Sequence, residues 1–430
     1  MDERDSILQH LLREYDRPIR DPMWKHVYLS KPLVDLLGHP EMLKLTKIRQ
    51  LGPSYLVYPG ATHTRLNHSI GVFHLAKRMI HKIVLSPSCP ALTLCGVKSF
   101  LAAALLHDLG HFPYTHSLKE LSLKEHEQLA ASTITRTDLA AHLRNEIGTD
   151  PDMVACIIDE DRSVEGMSRT RHDEIKLYRS ILSGALDPDK LDYLNRDAYF
   201  CGVPYGLQDV DFVIDQIEPL PDYRLALRPE GIQAVETILF SKYLMYRAVY
   251  WHKTVRVATA MIKKGLYMSL RDGHIHAEDL YNLDDESFIR AMSDSGSPAG
   301  TLVQDVSMRR LHKVLLDMPY DEWNDRLRAL TDLKQRTAFE AELASRVAVK
   351  LGVSVGEADI VIDIPEQVSF EVDMPISDSG AVSSYPDSAS VFTEEVIREF
   401  TATLRRVRLM CRAAPGLDTA TVKSTFRSMI

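Results

Sequence analysis

The sequence has few of the features that mark secreted or membrane proteins. Its five cysteines form no C-x-x-C pair, and their odd number provides no complete disulfide framework. The most apolar stretch, from Phe100 to Leu106, is far too short to cross a bilayer. The first residues, Met1 to Asp5, are too charged for a signal peptide. We therefore expect a soluble protein of the reducing cytoplasm, with no membrane partner.

The chain also lacks an excess of positive charge. A formal net charge of -9 argues against a general nucleic-acid coat, although a local basic pocket is compatible with it, so nucleic-acid binding stays open. A hydrophobic content of 45% and a charged content of 26% are ordinary for a globular protein. The length of 430 residues allows a catalytic domain and an accessory one.

Helical periodicity dominates the first 270 residues, in which apolar side chains recur three and four positions apart. Strand-like alternation is rare there, and Tyr223–Leu227 is its best example, predicted to form half of a small hairpin. We predict a mainly α fold with a catalytic helical core over residues 1–270, whose motifs fall at about 45–200. Residues 271–430 are predicted to form a smaller α+β region with an accessory or oligomerisation role.

The C-terminal region has a different pattern from the core. Charged amphipathic helices are predicted from Glu286 to Leu351, followed by a short strand at Asp359–Pro365. Residues 374–390 are rich in Ser, Pro, Asp and Gly and predict an exposed loop or flexible link. A closing helix is predicted from Thr393 to Ala413.

Chemistry enters with His107 and Asp108, which directly follow an apolar run. Burying an uncompensated charge is costly, and a metal ion would resolve this because imidazole and carboxylate together bind divalent cations. His68 lies upstream and Asp189 downstream, which gives four candidate ligands. The pattern does not fix the metal, since Fe, Mn, Zn, Ni or Mg-supported sites all use such ligands.

Each of these residues also has an ordinary structural interpretation. His107–Asp108 could be a surface pair, His68 a satisfied polar residue, and Asp189 a cap of the helix that follows it. Cations accompany the candidate ligands, however, because Arg65 precedes His68 by three residues and Lys190 follows Asp189. Cations and a metal together suit a phosphorylated compound, whose phosphoryl oxygen the metal would polarise.

The ordered pattern of these four ligands resembles the H…HD…D signature of HD-domain metal-dependent phosphohydrolases. Further segments look like the deoxynucleoside triphosphate triphosphohydrolase branch, which includes dGTPase-like enzymes and the HD half of the sterile-alpha-motif/HD enzymes. The resemblance covers roughly residues 15–265. The segments that carry it are Gln50–Gly52, Tyr58–His63, Arg65–Val72, His107–His111, His126–Gln128, Asp189–Tyr193 and Tyr250–Lys253.

The resemblance implies an HD-domain helical core and a role for each matching residue. It assigns the metal to His68, His107, Asp108 and Asp189. His116 and His126 would form the second catalytic element together with Arg65, with His116 donating a proton to the leaving 5′-oxygen. The triphosphate would be contacted by Arg65, His111, Lys190 and Lys242. The sugar would be held by Tyr193, Asp197, Gln50 and Leu51, with Tyr250 crowding its 2′ position.

The implied reaction is attack of water at the α-phosphorus of a dNTP, which yields a deoxynucleoside and intact triphosphate. The implied cofactor is a divalent transition metal (Fe, Mn, Zn or Ni), with Mg on the substrate triphosphate. A homo-oligomer, dimer or tetramer, is expected, and the family pattern leaves room for an allosteric nucleotide. Two alternatives stay open: hydrolysis of another phosphoester, such as a nucleoside monophosphate or cyclic nucleotide, and a non-catalytic nucleotide-sensing or nucleic-acid-binding protein.

The chain departs from the family pattern at several positions. The carboxylate that commonly follows the proton-donating histidine by three positions is Lys119 here, with Glu120 beside it. A glutamine that contacts the base in the sterile-alpha-motif type is Trp251 here. Side chains at the positions that read an activating guanine cannot reproduce those hydrogen bonds. These positions are Gly38, Leu43 and Thr46.

Overall fold

A computed structural model describes residues 2–370, 372, 374–378, 381–388 and 390–430. The protein is mainly α, as predicted. The α-helices are α1 (Glu3–Arg13), α2 (Lys31–Leu37), α3 (Pro40–Leu45), α4 (Arg65–Leu85), α5 (Leu94–Leu106), α6 (His126–Ile134), α7 (Thr137–His142), α8 (Pro151–Ile158), α9 (Arg169–Leu182), α10 (Pro188–Cys201), α11 (Val210–Gln216), α12 (Ile232–Met245), α13 (Lys253–Arg271), α14 (Asp285–Asp294), α15 (Gly300–Ser307), α16 (Asp325–Ala329), α17 (Leu333–Leu351), α18 (Glu394–Leu404) and α19 (Thr419–Met429). Short 3₁₀ or π turns cover Gly52–Leu56, Thr115–Leu121, Leu143–Ile147, Pro229–Gly231, Tyr246–Tyr250, Ala277–Asp279, Glu357–Asp359 and Tyr385–Asp387.

The strands form three small sheets. They are β1 (Arg17–Asp21), β2 (Lys25–Leu29), β3 (Ile217–Pro219), β4 (Leu225–Leu227), β5 (Lys313–Pro319), β6 (Ile360–Asp363), β7 (Pro375–Asp378), β8 (Ala381–Ser384) and β9 (Arg406–Cys411). β1 and β2 form a hairpin, the order β3-β4-β7-β8 forms a second sheet, and β5-β9-β6 forms a third. Among the described residues, no helix combines the length and apolarity that crossing a bilayer requires.

The elements that carry the candidate site residues pack in two different buried apolar clusters. The first, which we call the HD core, contains the inward faces of α4, α5, α8, α9 and α10. The second, which we call the rear cluster, contains Leu56, Phe112 and Leu118 together with apolar side chains of α13, α14 and α15. A third cluster lies between α17, α19 and the β5-β9-β6 sheet. The proposed division of the chain at residue 270 stays a prediction.

Gly71 lets α4 and α10 approach each other closely. A Cβ atom at this position would lie 1.9 Å from Asp192 Oδ1 and 2.4 Å from an Arg196 guanidinium nitrogen. Because no side chain fits in that space, glycine is required where the two site-bearing helices cross. The closeness of these helices lets residues 120 positions apart share one site.

The two strand predictions are confirmed. Leu225–Leu227 pairs antiparallel with Ile217–Pro219, which makes the hairpin predicted at Tyr223–Leu227. Ile360–Asp363 forms a strand within the predicted segment.

Other predictions for the C-terminal region are wrong in part. The predicted helical stretch from Glu286 to Leu351 contains the strand Lys313–Pro319, and the closing helix ends at Leu404, where the chain turns into the strand Arg406–Cys411. The latter strand is the central one of its sheet and is almost wholly buried, and a short buried apolar run cannot be told from a helix by its periodicity.

The predicted loop over residues 374–390 contains β7 and β8, while residues 379, 380 and 389 lie outside the described residues. β8 is exposed along its whole length, which explains why its polar composition resembles that of a loop. The N-terminal hairpin of β1 and β2 was not predicted either, because its exposed strand residues are mostly polar or charged.

Candidate metal centre and active site

Three of the four predicted metal ligands converge from three helices. His68 lies in the first turn of α4, His107 at the end of α5 and Asp189 in the first turn of α10. His68 Nε2 is 2.8 Å from Asp189 Oδ1, and His107 Nε2 is 3.9 Å from the same oxygen. Their ligand atoms all lie within 4.8 Å of one another. Asp189 is not the helix cap, because Asp187 caps α10 by accepting from the Lys190 N–H at 2.6 Å.

The second ring nitrogen of each histidine is already occupied. His68 Nδ1 donates to Asp192 Oδ2 at 2.8 Å, and His107 Nδ1 donates to the carbonyl oxygen of Ala104 at 3.0 Å. His107 Nε2 is buried and has no hydrogen-bond partner in the described part of the chain. Protein metal sites fix their histidine ligands in this way, which leaves the Nε2 lone pairs for the ion. The donor set of two imidazoles and a carboxylate therefore fits a divalent cation.

The electrostatics of this cluster favour a positive charge between its members. Burial alone lowers the pKa of His68, but the hydrogen bonds with Asp189 and Asp192 outweigh it and raise the value to about 10. Burial alone would raise the pKa of Asp189, but its hydrogen bond with His68 holds it at about 2. Carboxylates that hold a proton on an imidazole so firmly can equally hold a cation in its place.

Asp192 anchors His68 and was not assigned a role from the sequence. Arg196 binds its carboxylate through two nitrogens at 2.8 and 2.9 Å, and Trp24 Nε1 donates to it at 2.5 Å. Arg196 in turn donates to Asp21 at 2.8 Å, and its side chain is completely buried. The available signal was the spacing of Asp189 and Asp192, which places both carboxylates on one face of α10.

The fourth predicted ligand, Asp108, lies beside the cluster and binds a cation of the chain. Its Oδ2 accepts from Arg65 at 2.8 Å, and both side chains are buried. Its Oδ1 is 3.4 Å from His107 Nε2 and 3.1 Å from His111 Nδ1. Burial opposes ionisation of Asp108, but His111 and Arg65 keep its pKa well below the usual range. Its role as a ligand stays a prediction.

A second cluster holds the three histidines that follow the HD pair. His111 Nε2 is 3.1 Å from His116 Nε2, and the ring centroids of His111 and His126 are 3.9 Å apart. His111 and His126 are buried, whereas His116 is exposed and can reach a bound molecule. Gly110 permits this cluster, because a Cβ atom there would lie 1.9 Å from the His126 carbonyl oxygen.

The predicted triphosphate contacts occupy different environments. Arg65 is buried, and its Nε has no hydrogen-bond partner among the described residues, so this N–H can serve an anion. Lys190 pairs with Asp187 and donates to the carbonyl oxygen of Gly184 at 3.0 Å. Lys242 donates to the Ser369 carbonyl oxygen at 2.7 Å, and burial lowers its pKa to about 8. Binding of phosphate by either lysine would require exchange of these contacts.

The predicted sugar residues converge on Asp197. Tyr250 donates to Asp197 Oδ2 at 2.7 Å, and the rings of Tyr193 and Tyr250 meet edge-on with centroids 6.5 Å apart. Asp197 Oδ1 also accepts from His63 Nε2 at 2.9 Å. His63 ends one of the segments that carry the family resemblance but was assigned no role, because its burial against Phe200 is not visible in the sequence.

Gln50 and Leu51 form the remaining predicted sugar contacts. The backbone N–H of Gln50 donates to the His63 carbonyl oxygen at 3.0 Å, which places this segment beside the Asp197 group. Gln50 Oε1 is buried and lacks a hydrogen-bond partner within the described ranges. Leu51 is half-buried. A buried amide oxygen without a partner is expected where a ligand supplies the missing donor.

The departures from the family pattern also have clear positions. Lys119 is exposed, whereas Glu120 forms buried ion pairs with Lys263 and Arg336. Trp251 packs edge-on against Tyr246, with centroids 5.3 Å apart. The three positions that would read an activating guanine lie at the ends of α2 and α3, with Leu43 exposed. They are Gly38, Leu43 and Thr46.

Two family models match the chain. The HD domain matches residues 65–194, and the HD associated region matches residues 209–392. The second match extends beyond residue 265, the limit of the segments that carry the sequence resemblance. The first match contains the four predicted metal ligands, and the second contains Lys242 and Tyr250.

Relatives of known sequence agree with these models. The uncharacterized protein YwfO of Bacillus subtilis is 30% identical over 330 residues, which cover 72% of this chain and 72% of that protein. The uncharacterized protein MJ1154 of Methanocaldococcus jannaschii is 30% identical over 71% of this chain, and the match spans only 61% of that relative's length. A Dictyostelium discoideum protein named as a deoxynucleoside triphosphate triphosphohydrolase SAMHD1 homolog is 23% identical over 100% of this chain and 83% of its own.

A solved structure has the same fold. The crystal structure of a phosphohydrolase from Bacteroides thetaiotaomicron superposes with a TM-score of 0.69 at 23% identity and covers 92% of this chain and 99% of its own. The site geometry, the two family models and the relatives all point to the same family. This chain belongs to the HD-domain phosphohydrolase family, with an HD domain followed by an HD-associated region.

Proposed function

We propose that the protein is a metal-dependent deoxynucleoside triphosphate triphosphohydrolase. Water attacks the α-phosphorus of a dNTP, the bond from that phosphorus to the 5′-oxygen breaks, and the products are deoxynucleoside and intact triphosphate. One observation carries the proposal. The buried, unbonded Nε2 of His107 faces the Nε2 of His68 and a carboxylate oxygen of Asp189, beside an exposed histidine.

His68, His107, Asp189 and Asp108 would hold the metal. When bound, a divalent ion supplies Lewis acidity at a phosphoryl oxygen and lowers the pKa of a bound water. Asp108 could bind the metal through Oδ1, which lies 3.4 Å from His107 Nε2, while its Oδ2 continues to accept from Arg65. The arrangement suits Fe, Mn, Zn or Ni, with Mg accompanying the triphosphate.

Arg65 and His116 would act on the substrate directly. While Nη1 of Arg65 donates to Asp108, its buried Nε is without a partner and is suited to a phosphate oxygen. His116 reaches solvent from one side and lies 3.1 Å from His111 Nε2 on the other, so His111 can orient it. In its protonated form, His116 would donate to the departing 5′-oxygen, while the buried ring of His126 packs against both His111 and His116.

The group around Asp197 would select deoxyribose. Asp197 is held by His63 and Tyr250, which leaves the Tyr250 ring fixed against Tyr193. A rigid ring in this place would crowd a ribose 2′-hydroxyl, while the free amide oxygen of Gln50 would accept from the 3′-hydroxyl. Lys190 and Lys242 would neutralise the triphosphate at the cost of their present contacts.

The family context supports this reaction class without fixing the substrate. The Dictyostelium relative's name states dNTP triphosphohydrolase activity, and the similarity covers this whole chain at 23% identity. We further propose a cytoplasmic homo-oligomer, with guanine activation of the sterile-alpha-motif type absent because Gly38, Leu43 and Thr46 lack the required side chains.

Product analysis tests the proposal. Purified protein is incubated with each of the four dNTPs and with Mn²⁺ or Mg²⁺, and the products are separated by ion-exchange chromatography. We expect deoxynucleoside and triphosphate in equal amounts from at least one dNTP. Release of only orthophosphate or pyrophosphate would contradict the proposal. Hydrolysis of nucleoside monophosphates or cyclic nucleotides without cleavage of any dNTP would also contradict it.

A further inference from the structure

The segment that carries His116 is held by the later part of the chain and not by the HD core. It is a 3₁₀ turn, Thr115–Leu121, bounded by Tyr114 and Ser122, whose φ angles are 62° and 52°. Left-handed backbone is unfavourable for residues other than glycine, so two such positions need tertiary contacts to maintain them. The placement of His116 therefore depends on what the segment packs against.

Apolar contacts attach this segment to the rear cluster. Leu118 is buried there, Phe112 meets Tyr281 with ring centroids 5.5 Å apart, and Tyr114 meets Phe288 at 5.4 Å. The backbone N–H of Lys124 also donates to the Tyr281 hydroxyl at 3.1 Å. The aromatic partners Tyr281 and Phe288 both lie beyond residue 253, outside the match to the HD domain itself.

A buried ionic contact completes the attachment. The Glu120 carboxylate accepts from Lys263 of α13 through one oxygen and from Arg336 of α17 through the other. The exposed fraction of the three side chains is only 11%, 9% and 4%. Charge-assisted hydrogen bonds in such surroundings are strong and directional. Glu120 therefore fixes both the position and the rotation of the short turn.

We infer that Glu120 is a positioning residue through which the C-terminal half of the chain holds His116 in place for proton donation. The inference rests on the proposed function. His116 lies four residues before Glu120 in the same turn, and the Glu120 carboxylate contacts Lys263 and Arg336. Glu120 thus acts through the backbone and is not an acid-base partner of His116. Lys119 occupies the position where the family commonly has a carboxylate, and in this chain the adjacent Glu120 makes the anchoring ion pairs.

A neighbouring ion pair provides a matched control. Lys264 and Glu340 join the same two helices, α13 and α17, at 2.6 Å, and both side chains are 3% exposed. Glu340 also accepts from the backbone N–H of Ile362 at 2.5 Å. Within the described part of the chain, Glu340 makes no hydrogen bond or ion pair with the turn that carries His116. Glu340→Gln therefore controls for any general weakening of the contact between α13 and α17, which both substitutions would cause.

Steady-state kinetics of the two variants test the inference. We expect Glu120→Gln to lower kcat by roughly 10–100-fold, because small misplacements of a catalytic group have effects of this size, with KM and metal content unchanged. Glu340→Gln should keep kcat within about threefold of wild type at matched fraction folded. Equal losses of kcat in both variants would overturn the inference, as would full activity of Glu120→Gln.

A second variant addresses loss of folding. In Glu120→Gln, Lys263 stays buried without its partner, and the double variant Glu120→Gln/Lys263→Met removes that charge. We expect the double variant to regain thermal stability but not kcat. Recovery of kcat together with stability would reduce Glu120 to a structural residue and contradict the inference.

Histidine NMR separates this inference from the proposed function. In full-length protein labelled with ¹⁵N-histidine, the imidazole resonance assigned to His116 by His116→Gln should shift in Glu120→Gln and not in Glu340→Gln. This readout needs no substrate. If the resonance shifts while wild-type protein cleaves no dNTP, the proposed function fails and the positioning role stands. An unshifted resonance overturns the positioning role, whatever the activity.

Discussion

The candidate metal cluster (His68, His107 and Asp189) and the histidine cluster (His111, His116 and His126) are neighbours, but different parts of the fold hold them. His68, His107 and Asp189 lie on long helices that bury their apolar faces in the HD core. His116 lies on a short turn between two left-handed residues, packed against the rear cluster. Metal binding should therefore depend on the HD core alone, whereas turnover should depend on both parts.

Removal of Asp189 should produce the largest effect, because it affects both metal and turnover. Asp189→Ala takes away the carboxylate oxygen that lies 2.8 Å from His68 Nε2 and 3.9 Å from His107 Nε2. We expect bound metal, measured by elemental analysis, to fall and dNTP cleavage to reach background. The control Asp294→Ala changes an exposed carboxylate at the end of α14 and should alter neither. Unchanged metal content in Asp189→Ala would reject the ligand assignment.

Removal of His116 should affect turnover only. His116→Ala deletes the exposed imidazole but leaves the metal cluster untouched, so kcat should fall by about 10²–10⁴-fold, the usual contribution of general acid catalysis. Metal content should match wild type. His274→Ala, a change at an exposed histidine, is the control. If His116→Ala lost metal, the two clusters would be one unit and the comparison would fail.

Substitution of Asp192 should lower metal affinity indirectly, because Asp192 contacts His68 and not the metal. Asp192→Asn loses the carboxylate that orients His68, so metal affinity should fall by roughly 10–100-fold, as for other residues that hold a histidine ligand. Asp21→Asn is a matched control, because Asp21 also binds Arg196 but does not touch His68. Competition with a fluorescent chelator measures both. Equal affinities in the two variants would show that Asp192 only supports Arg196.

Acid should weaken the anchor of the histidine cluster by a smaller amount. Burial raises the pKa of Glu120, but Lys263 and Arg336 outweigh it and place the pKa below the ordinary 4.5. A depressed carboxyl pKa stabilises the fold above 4.5 and ceases to do so as pH falls through the folded value. The free energy of unfolding in urea should therefore differ between wild type and Glu120→Gln at neutral pH. That difference should shrink below pH 4.5, and a constant difference would contradict the assignment.

The convergence of His68, His107 and Asp189 could be predicted from sequence because these residues follow an ordered signature. His68, His107 and Asp189 each stand next to helix-start or helix-end signals, and the structure brings them together as the pattern implied. The role of Asp192 could not be predicted, because it depends on how closely α4 and α10 pack at Gly71. The ion pair between Lys190 and Asp187 likewise could not be predicted, because it depends on Asp187 being the residue that caps α10.

The contacts that surround His116 could not be predicted from the sequence, for a different reason. Glu120 finds its partners 143 and 216 residues away, and no local pattern connects Glu120 with Lys263 or Arg336. The C-terminal strands were misassigned for a similar reason. Arg406–Cys411 is a strand only because β5 and β6 pair with it on both sides, while its apolar residues continue the helical pattern of α18.

Hydrolysis in ¹⁸O-labelled water tests the central claim most directly. The proposed reaction breaks the bond between the α-phosphorus and the 5′-oxygen, so the water oxygen must enter the phosphate product. The account predicts one ¹⁸O atom in triphosphate and none in the deoxynucleoside, by mass spectrometry of a metal-supported reaction. Label in orthophosphate or pyrophosphate, or in the 5′-hydroxyl of the deoxynucleoside, would contradict it.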